Sequence, residues 1–257
     1  MHRRLLRGRR LPQHGFTLIE MTVVIAIVGL LLGTLLTPLA TQLRASQIKT
    51  TDRDLGDVRE ALLGFAMANG RLPCPDTDAD GAENGGGAAA CANVEGSLPY
   101  GTLGVPPSDA WGQRYRYRVT AEFARTAVPG ATCAAGDNQL GICDAGDITV
   151  STRIATDKSI QTYSGGSVAV VLSHGPNGLG GTRLEDGVAL TGATAGTDEA
   201  ENTDGDGTFI VRNTTTTTSG CNDDAALGGP LCEFDDRVIW LAPSLLFNRL
   251  VTAGVLP

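Results

Sequence analysis

The sequence predicts an α+β fold: a long N-terminal helix packed on a mostly antiparallel β-sheet, with long loops closed by disulfides. Three observations carry this. An apolar run followed by an amphipathic one occupies the first 69 residues, short alternating segments follow, and six cysteines fall into local pairs.

The helix is read first. No charge other than Glu20 interrupts the stretch between Arg10 and Arg44, and from Met21 to Leu36 nearly every residue is Val, Ile, Leu, Ala, Gly or Thr. About 20 apolar residues cross a hydrocarbon core, and Phe16 to Leu36 supplies that length, so 16–36 is the expected transmembrane part. Arg3, Arg4, Arg7, Arg9 and Arg10 precede it and should stay cytoplasmic, leaving the C-terminal body in the periplasm. Beyond the membrane, Ile48, Leu55, Val58, Leu62, Phe65 and Ala66 recur at helical spacing and form one apolar face. Asn69-Gly70 and Pro73 supply a stop. The helix over 16–69 would be about 80 Å long, with a bend at Pro38.

From residue 70 to 257 the pattern becomes that of a β-rich globular domain. Tyr115–Val119, Ile148–Ile154, Ser167–Leu172, Thr208–Arg212 and Arg237–Leu241 are the expected strands. Pro243 opens a short terminal helix that Gly254 stops. Thr191–Gly207 and Thr214–Ser219 read as exposed loops, and Trp111 and Trp240 as core aromatics. Without its first fifteen residues the chain has 15 Lys and Arg against 28 Asp and Glu, a formal charge of −13. Such a body repels phosphate backbones, which excludes nucleic acid as a partner.

The cysteines are Cys74, Cys91, Cys133, Cys143, Cys221 and Cys232, at spacings of 17, 10 and 11 within three neighbour pairs. No C-x-x-C and no nearby histidine suggests zinc. An even count in a translocated chain favours disulfides. Fifteen connectivities are open; Cys74–Cys91, Cys133–Cys143 and Cys221–Cys232 is the simplest.

A secretory signal peptide accounts poorly for the N-terminus. The small residue, Gly15, comes before the apolar run instead of after it, and a carboxylate, Glu20, sits inside that run at a cost of at least a few kcal/mol. Gly15-Phe16-Thr17-Leu18-Ile19-Glu20-Met21 resembles the class III signal of type IV pilins and type II secretion pseudopilins. The resemblance covers roughly residues 8–45; Gly29 matches a common helix glycine, and Pro38 lies one place later than the usual proline. It implies a leader of residues 1–15, cleavage by a prepilin peptidase between Gly15 and Phe16, and N-methylation of Phe16. It also implies that Glu20 pairs with the N-terminal amine of a neighbouring subunit. The partners implied are other pilins or pseudopilins, the peptidase and an inner-membrane assembly platform. The subunit would sit in the inner membrane and then in a filament, with possible exposure at the cell surface. A mature length of 242 residues exceeds most major subunits and favours a minor one; a tip-located adhesin on a pilin stalk is the alternative.

Two strings suggest a cation. Asp76-Thr77-Asp78-Ala79-Asp80-Gly81 opens like a calcium-binding EF-hand loop, with Asn84 at the ninth position but Gly87 where a bidentate glutamate belongs. Asn202-Thr203-Asp204-Gly205-Asp206-Gly207 repeats the pattern, with Glu199 and Glu201 nearby. Calcium, held by Asp76, Asp78 and Asp80 or by Asn202, Asp204 and Asp206, is the one candidate cofactor, and it resembles what some pilins and pseudopilins use to order loops. Catalysis is not expected. Ser173-His174 is adjacent in sequence without G-x-S-x-G, and Gly175–Gly181 lacks G-K-[ST], so both read as turns.

Overall fold

The structure, a computed structural model, describes residues 15–86, 91–126 and 140–256, without the side chains of 34–39. The basic leader, Gly87, Cys133 and the ring of Pro38 lie outside the described residues, and so do the expectations that rest on them. In chain order the elements are α1 (Leu18–Asn69), β1 (Glu95–Ser97), α2 (Tyr100–Leu103), β2 (Arg116–Val119), β3 (Ile148–Arg153), β4 (Ile160–Ser167), β5 (Ala169–Ser173), α3 (Asp198–Glu201), β6 (Thr208–Ile210), β7 (Arg237–Leu241) and α4 (Pro243–Thr252). Two compact units result, Met1–Ser46 and Gln47–Pro257.

From Leu18 to Gly33 α1 carries apolar side chains on every face, with Glu20 the one charge among them. Every described large apolar side chain from Phe16 to Leu32 is exposed. Among the described residues no helix is long and apolar enough to cross a membrane; the apolar part of α1 with described side chains is Leu18 to Gly33.

In the second unit α1 becomes one-sided. Thr51, Leu55, Val58, Leu62 and Ala66 are buried at three- and four-residue intervals, and Leu63 joins them. Fully burying each such leucine or valine contributes about 1.5–3 kcal/mol. The helix ends where Gly70 takes φ +66° and donates its N–H to the Ala66 carbonyl at 2.8 Å. A Cβ would oppose that left-handed turn.

Two sheets replace the single sheet expected. β1-β2-β5-β7 is antiparallel throughout, whereas β4-β3-β6 pairs β3 with β4 antiparallel and β3 with β6 parallel. Alternation along β5 explains how they stack. Ala169 and Val171 join α1, Leu246 and Leu250 in one core, while Val170 and Leu172 meet Ile148, Val150 and Phe209 in another. The four-stranded sheet is thus the middle layer, with helices on one face and the smaller sheet on the other. The run Ala169–Ser173 is buried at every position because both faces are covered.

Cys74–Cys91 and Cys221–Cys232 are disulfides. Loops of this size contribute roughly 3 kcal/mol each in the chain-entropy model. The segment Thr191–Gly207, expected as an exposed loop, instead contains α3, and Asp198, Glu199 and Asn202 are buried within it. Trp111 and Trp240 are only partly buried; Trp240 stacks on Tyr163 at 6.3 Å.

Candidate functional site

The N-terminal segment and the acidic groups of the body are separate sites. At the N-terminus, Gly15 and Phe16 are exposed, Phe16 to 75%, so the Gly15–Phe16 bond is open to solvent. Thr17 is the last residue before α1, which starts at Leu18. The Thr17 hydroxyl accepts the Glu20 N–H at 3.3 Å, and a Glu20 carboxylate oxygen accepts the Thr17 N–H at 3.4 Å. This reciprocal pair is a capping box, satisfying two backbone donors that a helix start leaves free. The pattern Thr17-x-x-Glu20 was legible in the sequence, where Glu20 was read only as an assembly residue.

In the body, the Asp76 string folds as a tight turn. Asp76 is 1% exposed, and its two carboxylate oxygens accept the N–H groups of Ala79 and Gly81 at 2.7 and 2.9 Å. Asp78 takes a hydrogen bond from the Asn84 amide, which holds its carboxyl below the usual range. Ligand oxygens of Asp76, Asp78 and Asp80 lie within 4.8 Å of one another.

The second string is divided. Asp204 and Asp206 group with Glu201. Asn202 turns inward, where its amide nitrogen donates to the Ile210 carbonyl and to Asp236, and its oxygen accepts the Ile210 N–H.

A third acidic group escaped the sequence reading. Glu199, Asp235 and Asp236 are 2%, 6% and 3% exposed, and each offers an oxygen within 4.8 Å of the others. Glu199 accepts the Asn177 amide and the Asp235 N–H, and Asp235 accepts the Asn177 N–H. Gly175 makes this docking feasible: a Cβ there would fall 2.3 Å from Asp235 Oδ1. Asp235 Oδ1, Asp236 Oδ1 and His174 Nδ1 are buried without a hydrogen-bond partner, and the last two face each other at 3.8 Å. Burial pushes the Asp235 carboxyl up to about 7, with the Glu199 charge adding to it. Burial also raises Asp236 well above its ordinary value, raises Glu199, and lowers His174 to about 4, so the imidazole is neutral near pH 7. Glu199 borders a cleft of 560 Å³ together with Thr197, Asn222 and Glu233.

The Asp235 shift fixes a pH dependence. Its folded pKa lies above the ordinary 3.8, so this contribution to stability is complete below about pH 4 and is lost as pH rises through about 7. His174 acts oppositely, losing stability as pH falls from 6.5 toward about 4. With a chelator present, raising the pH from 5 to 7 is expected to cost wild type more in Tm than Asp235→Asn; equal changes over that interval would rule out Asp235 as the titrating group.

No curated protein and no solved structure matches the chain. Residues 10–36 match the family model of the prokaryotic N-terminal methylation motif, the class III prepilin signal of type IV pilins and pseudopilins.

Proposed function

We propose that the chain is a minor pilin or pseudopilin, a structural subunit anchored in the inner membrane through 16–36, clipped after Gly15, methylated on Phe16 and then built into a filament. The observation that carries this reading is the methylation motif at 10–36 leading directly into a helix that exposes every described large apolar side chain as far as Leu32. Such a surface is costly in water, at about 25 cal/mol per Å², and is stabilised first by lipid and then by the helices of neighbouring subunits. Glu20 supplies a charge that a neighbour's amine can meet, since a buried carboxylate is tolerated when it has a partner. The body, β-rich and crosslinked, is the part displayed outside the membrane.

Mass spectrometry of the N-terminus of membrane-extracted protein tests this. The expected mature chain starts at methylated Phe16. A chain that begins after residue 36 would mean an ordinary signal peptide and end the filament reading.

A further inference from the structure

Three carboxylates within contact of one another need a positive charge or protons. Among the described residues no arginine or lysine forms a salt bridge with Glu199, Asp235 or Asp236. His174 is 2% exposed, and its Nδ1 lies 3.8 Å from Asp236 Oδ1, too far for a hydrogen bond. Its Nδ1 nevertheless faces Asp236 Oδ1 without a partner, and Asp235 Oδ1 is orphaned beside it. Leaving such buried polar atoms unsatisfied is costly.

We propose that Glu199, Asp235 and Asp236 hold one calcium ion, with the His174 imidazole orienting Asp236 from behind. The donor set is all carboxylate oxygen, which suits a hard cation. Ca–O bonds of about 2.4 Å allow ligand oxygens up to about 4.8 Å apart, which accommodates the spread of this group. A smaller magnesium ion requires tighter octahedral geometry and keeps more of its water. Asn177 and Asn202 already hydrogen-bond oxygens of the three acids, leaving one oxygen on each aspartate directed elsewhere. This is how an outer shell fixes ligand orientation. Of the three acids, Glu199 borders the cleft it shares with Thr197, Asn222 and Glu233. The site lies within the body and does not rest on the N-terminal reading.

The test uses the full chain in detergent, stripped with a chelator and dialysed against buffer containing calcium. Elemental analysis is expected to find about one calcium per chain, and saturating calcium to raise Tm by roughly 5–10 °C over chelator. Asp236→Asn and Glu199→Gln should abolish the calcium response without lowering Tm in chelator, because each removes a charge while keeping the shape. The Asp204→Asn/Asp206→Asn and Asp78→Asn/Asp80→Asn variants should keep it. Wild type with the same Tm in calcium and chelator overturns the proposal. So does a response kept in Asp236→Asn but lost in either double variant, or one given by zinc alone. If Asp236→Asn fails to fold, about one calcium retained in both double variants still places the ion at Glu199, Asp235 and Asp236, and wild type without bound calcium overturns the proposal.

Discussion

Glu20→Ala is expected to insert, to be clipped after Gly15, and yet to be depleted from sheared filaments a hundredfold or more. Removing the carboxylate leaves the neighbour's N-terminal amine buried without a partner, which typically costs 3–5 kcal/mol; each 1.4 kcal/mol is tenfold in an equilibrium. The capping box complicates the reading of this substitution. Glu20 accepts the Thr17 N–H, so alanine also removes a cap, a loss of about 0.5–2 kcal/mol. Glu20→Gln separates the two roles: its amide oxygen can accept the same N–H, but it has no charge for a neighbour's amine. Both variants should be depleted if pairing is the role. If Glu20→Gln enters filaments as wild type does, the carboxylate acts as a helix cap and the pairing role falls. Thr22→Ala is the control, because its hydroxyl bonds within its own helix, to the Ile19 carbonyl at 2.8 Å.

Asp198→Ala should lower the Tm of the full chain by roughly 6–20 °C, the largest loss expected of any single substitution in the body. Asp198 is 0% exposed, and its two oxygens meet Arg153 Nε at 2.7 Å and Arg212 Nε at 2.6 Å. Its N–H donates to Asp223 at 2.9 Å, and Arg212 lies over the Phe234 ring at 4.5 Å. Asp198 therefore joins β3 and the chain after β6 through its carboxylate, and the loop closed by Cys221–Cys232 through its N–H. Removing the side chain takes from Arg153 its carboxylate and leaves Arg212 with Asp223 as its remaining ion pair, at 3.5 Å. Asp198→Asn, which keeps an acceptor, should cost less than alanine. An alanine variant within 1 °C of wild type would show that the network contributes nothing net to stability.

Much of this architecture was legible because burial leaves a period. The stripe Leu55, Val58, Leu62, Ala66 and the strands at 148, 208 and 237 announce themselves through spacing, and Pro243 marks the start of α4. β4 was missed because Ile160–Gly165 is largely exposed and ends in Gly165-Gly166, so no alternation betrays it. β1 is three residues long and lacks any pattern. The third acidic group was invisible for a different reason. Glu199 and Asp235 are 36 positions apart, and it is the fold that sets α3 beside the residues preceding β7, where the Asp235 N–H donates to Glu199. A faint signal existed in Asp235-Asp236, an acid pair between Phe234 and Val238 where both flanks are buried. Asp76, Asp78 and Asp80, by contrast, were legible because they alternate within one turn, where the two oxygens of Asp76 also accept backbone N–H groups.

β4 has a consequence for a protein whose copies would be held side by side at high local concentration. It is the outer strand of its sheet, and an outer strand presents free backbone groups that can recruit the same strand from an adjacent molecule. Its pairing with β3 slips twice, between Ile148 and Thr149 and between Val150 and Ser151, and Gly166 takes φ +137° near its end. Such irregularities twist a strand and interrupt its ladder. The ribbon is left too uneven to serve as a template, so copies crowded together would not fuse their bodies into an amyloid-like stack.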